Sequence, residues 1–407
     1  MKKIVIVGGG ASGLVTAIYA KNENNEVIVL EKNDICGKKI LATGNGRCNY
    51  YNDNQDITNY YSKNIECLKE IITKDNLEKV NNLFTKLGII PKIKNGYYYP
   101  LSNQASSIRN ILENKVKELG IKIITNFNVE KIEKENNKFI ISSLDKKIEA
   151  DKVVIATGSF ASIKNESEVI GYKILKEFNH KIEKVLPTLV QLKGNETYFK
   201  DWNGVRSDVT LKLFEDDNFI KEESGEIQLT DYGISGICTF NISGYVSRGL
   251  NNNKNEIVQI DFLPTIGNNR LELLNFLEER NNKLNSYNIV DLFEGILNNK
   301  LIKTILKVSN IDSGKTYDEL TTEEKETLSS NIKEFKIKIT GTNDFSKAQT
   351  CTGGLILDEI NLNTMESKLV KDLYIVGELI DVDGVCGGYN LTFAWLSGIL
   401  AGSDISD

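Results

Sequence analysis

Four apolar, β-branched residues, Ile4, Val5, Ile6 and Val7, run without interruption into three glycines, Gly8, Gly9 and Gly10. A short continuous apolar run bounded by glycine predicts a strand buried on both faces, as in a parallel sheet. Small and apolar residues then predict a helix over 11–20, and a second apolar run predicts a buried strand over 26–30. Charged and apolar positions alternate at helical spacing over 65–88, giving one or two surface helices. Residues 106–120 predict an amphipathic helix that ends on a glycine C-cap. Tyr97, Tyr98 and Tyr99 before Pro100 suit a short strand. Over 121–156 the pattern breaks into short strands at 121–124, 128–133, 138–143, 147–150 and 152–156, the middle ones joined by sharp turns as in an antiparallel meander.

The texture changes at Leu189. Strands are predicted at 190–192, 207–214, 225–229, 238–242 and 257–262, enough for a small barrel or sandwich. Residues 271–333 read as mostly helical, with Asn281, Asn282 and Asn285 marking a turn and the acidic stretch from Asp318 marking a helix start. One more strand is predicted over 335–340. The chain then returns to its opening texture with a buried strand that ends in Gly377. A final helix over 391–402 carries the small residues Ala394, Ser397, Gly398 and Ala401. The expected division is 1–188 and 341–407 for one α/β domain, 189–265 with 334–340 for an inserted β-barrel-like domain, and 266–333 for a helical cap.

Bulk properties narrow the function. The 407 residues suffice for two or three domains, and 40% hydrophobic with 26% charged residues is ordinary for a globular protein. A formal net charge of -6 supplies no basic field, so nucleic acid is not an expected partner. No apolar stretch is long enough to cross a bilayer, and Gly8 to Gly10 interrupt the first apolar run too early for a signal peptide, so a cytoplasmic protein is expected. Six cysteines form no C-x-x-C pair. His180 is the only histidine, which excludes a site with two histidine ligands; no metal is expected. His180 itself follows a predicted helix and reads as structural. Acid and base candidates are therefore tyrosine, lysine, cysteine and carboxylates.

The chemistry sits in the turns. Gly8, Gly10 and Gly13 stand at G-x-G-x-x-G spacing between a strand and a helix. The first permits a tight turn, the second lets a pyrophosphate approach the backbone, and the third lets the helix pack close to the strand. The helix N-terminus, with Ala11 and Ser12, turns its N–H groups and positive dipole end toward that anion. Glu31, about 20 residues on, stands where an acidic residue binds a ribose hydroxyl. Residues 36–52 hold three glycines and few apolar side chains, so this loop approaches something closely, and Lys39, Arg47 and Asn49 suit a phosphate or a ring edge. Ala156, Thr157 and Gly158 end an apolar strand that follows the meander and return the chain to the sheet beside the cofactor. The last helix starts just after Gly387 and Gly388, where its N-terminus can face the pyrimidine side of a flavin and stabilise negative charge there.

These residues resemble the BaiN-like flavoproteins, also called the aminoacetone-oxidase-type FAD-binding family, over essentially the whole chain. The motifs that carry the resemblance are Gly44-Asn45-Gly46-Arg47-Cys48-Asn49, Gly233-Ile234-Ser235-Gly236, Thr364-Met365-Glu366-Ser367-Lys368, and the run from Gly377 to Gly384 continued by Gly387-Gly388-Tyr389-Asn390-Leu391. The resemblance implies a Rossmann-type FAD domain interrupted by a β-barrel and a helical cap, and a flavin-dependent oxidoreductase. It implies that Val129 meets the adenine through its backbone, that Lys39 and Thr43 to Asn49 line the ribityl and flavin side, and that Glu378, Asn390 and Leu391 sit at the flavin or ribityl chain. Lys32, Gly377, Asp383 and Gly388 belong to the same cofactor-side segments. Two departures stand out: Ile237 where the family usually has proline, and Thr392-Phe393 where Gln-Trp is common.

The leading expectation is reduction of an activated C=C bond, of steroid or bile-acid enone type, with electrons passed from NADH or NADPH through FAD. Only one G-x-G-x-x-G is present, so a nicotinamide donor would dock transiently over the flavin. Tyr389 and Cys386 are the candidate proton donors by position. The alternatives are an oxidase of small amines that returns electrons to O2, and an RNA-related or non-enzymatic flavoprotein. The partner expected is a small-molecule substrate; the sequence says nothing of oligomeric state.

Overall fold

The computed structural model describes residues 1–163, 169–284 and 288–407. They form two compact units, one from Met1–Leu186 with Thr350–Asp407, the other from Pro187–Gln349.

The first unit is built on five parallel strands. Their order in space is Leu373–Ile375, Lys152–Ile155, β1 (Lys2–Val7), β2 (Asn25–Leu30) and Lys122–Ile124. β1 lies in the middle, with Ile4 paired to Val27 on one side and to Lys152 on the other. Its Ile4, Val5 and Ile6 are fully buried, as a β-branched run covered on both faces requires. The helix α1 (Ala11–Ala20) follows β1 after the glycine turn. Residues 121–124, the first of the short strands expected over 121–156, join this parallel sheet as its edge strand. The meander itself has three antiparallel strands, Lys131–Glu135, Lys138–Ser142 and Lys147–Ala150.

The C-terminal helix, Tyr389–Ser406, lies on α1. A methyl group at Gly398 would fall 2.6 Å from the Ser12 carbonyl oxygen, and one at Gly402 would fall 2.5 Å from Tyr19. The small residues are what let the two helices touch. Gly398 faces Ser12 and Thr16 while Gly402 faces Thr16 and Ala20, so the helices run parallel and the longer one starts well before α1 does. His180 is structural: its side chain is fully buried, with Nδ1 against Glu359 at 2.8 Å and Nε2 against Ser367 at 2.9 Å.

The second unit is a seven-stranded sheet. Phe335–Ile339 lies at one edge and Gly341–Thr342 at the other, where it pairs with Leu192–Lys193. Only Thr340 separates these two edge strands in sequence, so the sheet must curl round until its edges meet, as in a barrel. Four expectations are corrected here. Gly341 does not begin the return to the first unit; it pairs within the second, and the return comes at Thr350. Residues 266–333 are no separate cap, since Leu277, Ile305 and Leu328 on the helices share one core with Val258 and Ile337 on the sheet. Residues 238–242 are not a strand; they lie in the helix Ile237–Asn251, which buries Cys238, Ile242 and Val246 at four-residue spacing. Asn281 and Asn282 lie inside the helix Arg270–Leu284 rather than in a turn, and Asn285 lies outside the described residues. Ile237 takes the first helical position, where proline is favoured, and is 64% exposed, so either residue is tolerated there.

The strands that lead out of and back into the first unit, Ile182–Thr188 and Thr350–Leu355, pair with each other in a two-stranded sheet. Among the described residues no helix is long and apolar enough to cross a membrane.

Candidate functional site

The predicted motifs gather at the C-terminal ends of the parallel strands, where open α/β sheets bind nucleotides. Gly8 ends β1 with φ at 110°, and a methyl group there would strike the Ala156 carbonyl oxygen at 2.3 Å. At Gly13 the methyl would lie 2.0 Å from the Gly8 carbonyl oxygen, so Gly13 is what lets α1 start this close to the strand. Gly10 is different: a methyl there would meet nothing within 4 Å. The protein leaves that side of the backbone open, at the point where the first N–H groups of α1, including those of Ala11 and Ser12, lack intrahelical acceptors. An anionic group fits there.

Glu31 follows β2 and is 7% exposed. Its Oε2 accepts from the Gly9 N–H at 2.8 Å, and its Oε1 accepts from the Asn33 backbone N–H at 2.8 Å and from Asn33 Nδ2 at 2.6 Å. These donors hold the carboxylate in one place, and a carboxylate has lone pairs left for hydroxyl donors. The Glu31 backbone pairs with Ile124 and Phe127, which brings the segment leading to buried Val129 alongside it. Lys32 is exposed.

A second cluster joins three segments distant in sequence. Glu378 Oε2 accepts from Lys39 Nζ at 2.8 Å and from Ser159 Oγ at 3.0 Å. Burial alone would push the Glu378 carboxyl up, but the Lys39 ammonium and the hydrogen bonds from Lys39 and Ser159 outweigh it and hold the carboxyl below its usual range. Gly377, with φ at 72°, sits against Ser12 and donates its N–H to Ser397 Oγ at 3.0 Å. Ala156 donates its N–H to Val7, and Gly158 also has positive φ. Beside them the buried Thr157 Oγ1 has no hydrogen-bond partner among the described residues.

In the loop over 36–52, Thr43 is extended and Gly44 and Asn45 are left-handed, both at φ 55°. Gly44, Asn45, Gly46 and Arg47 are exposed, and the Arg47 guanidinium lies 5.3 Å from the Tyr99 ring centre. Cys48 is fully buried, and burial pushes its thiol up to about 11, so it stays protonated. The buried Asn49 Oδ1 has no partner among the described residues.

The C-terminal helix opens after Gly387 and Gly388, both at positive φ. The Asn390 amide is spent on Gly384, accepting its N–H at 2.9 Å and donating to its carbonyl at 2.8 Å. It thereby ties down the strand Asp383–Gly384, so the Asn390 side chain is committed within the protein. Leu391 is half-buried beside it. Tyr389 is 4% exposed, and burial, then Tyr97 and Asp56, push its phenol up to about 12. Cys386 is half-buried. Thr392 and Phe393 are core residues.

The open side of Gly10, the held carboxylate of Glu31 and the orphaned Thr157 Oγ1 and Asn49 Oδ1 fit an extended dinucleotide such as FAD. Two residues of the cluster, Ser159 and Asn52, are not singled out by sequence. Ser159 directly follows the Ala-Thr-Gly motif, which is the one pointer to it. Among the described residues no three metal-ligating side chains converge.

Comparison with known proteins identifies the family. Residues 2–404 match the family described as HI0933-like protein Rossmann domain. The 3-dehydro-bile acid delta(4,6)-reductase of Clostridium scindens is 36% identical over 404 residues, covering 99% of this chain and 98% of that protein. The ribosomal RNA dihydrouridine synthase of Escherichia coli is 24% identical over 406 residues, covering 98% and 97%. Among solved structures, a 3-ketosteroid-delta4-(5alpha)-dehydrogenase from Rhodococcus jostii shares the fold with a TM-score of 0.50 at 11% identity, over 100% of this chain and 97% of that one. The chain belongs to the HI0933-like Rossmann family and is a flavin-dependent oxidoreductase.

Proposed function

We propose that this protein reduces the activated C=C bond of a steroid- or bile-acid-type enone, drawing electrons from a reduced nicotinamide through FAD. The observation that carries the substrate class is the 36% identity, along the full length of both chains, to a bile-acid delta(4,6)-reductase. Gly8 to Gly13 and the α1 N-terminus would hold the pyrophosphate, and Glu31 the adenosine ribose. The N-terminus of the helix Tyr389–Ser406 would stabilise negative charge on the flavin pyrimidine. Bound FAD supplies hydride for the β-carbon of the enone. The chain supplies orientation and, from Tyr389 or Cys386, the proton for the α-carbon.

A second reading is favoured by the dihydrouridine synthase relatives. A uracil C5=C6 bond is also conjugated to a carbonyl, so the same site chemistry could act on RNA. The net charge of -6 weighs against a polyanionic substrate. An amine oxidase would need an anionic or aromatic clamp for the amine and fast reoxidation in air.

The test is stopped-flow mixing under anaerobic conditions. FAD-loaded protein should bleach with NADH or NADPH and recover its colour on mixing with a 3-keto-4-ene steroid. Bleaching by a small amine with recovery in air, or recovery only with uridine-containing RNA, would replace the proposal with one of the other readings.

A further inference from the structure

Asn52 ends the short strand Tyr51–Asn52 and is buried, 3% exposed, beside the first turn of the C-terminal helix. Its Oδ1 accepts from the Asn54 backbone N–H at 2.8 Å. Its Nδ2 donates to the Gly387 carbonyl at 3.1 Å and to the Tyr389 hydroxyl oxygen at 3.2 Å. A backbone N–H can only donate and a carbonyl can only accept, so these two partners fix which way round the amide lies. Nδ2 is therefore a donor to Tyr389, and the phenol oxygen is an acceptor in that bond. The hydrogen of the phenol cannot point back at Nδ2. Among the described residues it has no acceptor.

The ring is held as firmly as the oxygen. Tyr60 packs edge-on against Tyr389 with ring centres 5.4 Å apart. Tyr60 donates to Gln55 Oε1 at 2.5 Å, and Gln55 Nε2 donates to the Asn52 carbonyl at 2.7 Å. Tyr389 thus stands at the helix N-terminus with its ring clamped, its oxygen engaged from one side and its hydrogen unspent.

We infer that Tyr389 is the proton donor of the reaction and that Asn52 is its positioning residue, turning the phenol hydrogen away from the amide so that it is free for the substrate. This rests on the enone-reductase reading above. As the C=C bond is saturated, the β-carbon receives hydride, the Tyr389 O–H bond breaks, and a C–H bond forms at the α-carbon. The phenolate then regains a proton from water. The two electrons are those delivered by the reduced nicotinamide.

The test uses the FAD-loaded, full-length protein and separates the two half-reactions. Tyr389→Phe keeps the ring and removes one oxygen. It should retain FAD and bleach with the nicotinamide at the parent rate, yet recover colour with an enone about 100-fold more slowly, the lower end of what a general acid contributes. Asn52→Asp places an acceptor where the donor was, which captures the phenol hydrogen. Recovery with enone should be slow at neutral pH and should rise again as pH falls and the introduced carboxyl becomes protonated and able to donate. A merely structural role for Asn52 would give no such recovery at low pH. Tyr389→Phe decides the donor role alone if Asn52→Asp fails to fold. Equal reoxidation of Tyr389→Phe and parent would overturn the donor, and a pH-independent Asn52→Asp would overturn the positioning role. A parent protein that no enone reoxidises would instead bring down the reductase reading and this proposal with it.

Discussion

Two carboxylates, a half-buried one in the first unit and a buried one in the second, meet opposite fates. Glu378, at the end of a parallel strand, receives Lys39 Nζ and Ser159 Oγ and keeps its charge. Glu256, at the start of a strand in the second unit, is 1% exposed, and neither of its oxygens has a hydrogen-bond partner among the described residues. Its Oε1 occupies the place a methyl group would take on Gly249, with Glu215 Oε2 close by. Burial, followed by Glu215 and Asp216, pushes its carboxyl up to about 7. The first arrangement holds a fixed charge; the second holds a proton that comes and goes near neutrality. A buried carboxylate is governed by what faces it, not by burial alone.

The comparison can be broken at the glycines first. Gly13→Ala should cost at least about 3 kcal/mol, because its methyl meets a backbone carbonyl that cannot move aside, and thermal unfolding should show the loss together with loss of yellow colour. Gly10→Ala should leave the melting temperature of the cofactor-free protein unchanged and weaken FAD binding only. A fall in that melting temperature would contradict the open space at Gly10.

The next effect belongs to Glu256. Its folded pKa lies above the usual 4.5, so the native state holds the proton more tightly than the unfolded chain does. Stability is then lost as pH rises from about 4.5 to about 7, by up to about 3 kcal/mol. Glu256→Gln should abolish that slope in urea unfolding followed across this range. An unchanged slope would place the titration elsewhere.

Smaller effects are expected on the cofactor side. Glu31→Ala should weaken FAD by about 1–3 kcal/mol in calorimetry, the cost of losing hydrogen bonds to a charged group. Lys39→Met should raise the Glu378 pKa and cost about 1 kcal/mol, since the half-exposed Lys39 is screened by solvent. Because Lys39 lowers that pKa, the Glu378 contribution is present above the unfolded pKa and is lost as pH falls through the folded one.

The glycine-bounded strands were legible because their pattern is local. Four β-branched residues followed by G-x-G-x-x-G leave few alternatives, and β1, α1 and β2 form where expected. Residues 238–242 were not legible, since Cys238, Phe240 and Ile242 alternate with the polar Thr239 and Asn241 as the residues of a half-buried strand do. Only the spacing of Cys238, Ile242 and Val246, read across the whole 15-residue helix, separates the two. The strand Asn218–Leu229 was read only from Gly225 on, because Lys221, Glu222 and Glu223 hide its exposed half. In the site, Lys39 and Glu378 could be placed on the cofactor side, but not their mutual ion pair, which spans 339 positions. Asn52 escaped notice because an asparagine in a polar loop has no pattern of its own; its meaning lies in Asn54, Gly387 and Tyr389 around it.

The paired strands Ile182–Thr188 and Thr350–Leu355 have a consequence for biosynthesis. A ribosome completes the whole second unit before it makes Gly377, Glu378 and the helix that begins at Tyr389. That unit is one unbroken stretch of chain, complete while the first still lacks its edge strand Leu373–Ile375 and the helix Tyr389–Ser406. The turn over residues 8–13 is among the first structures to emerge and the helix Tyr389–Ser406 the last. Stable capture of the cofactor must therefore wait until the chain is nearly finished and released.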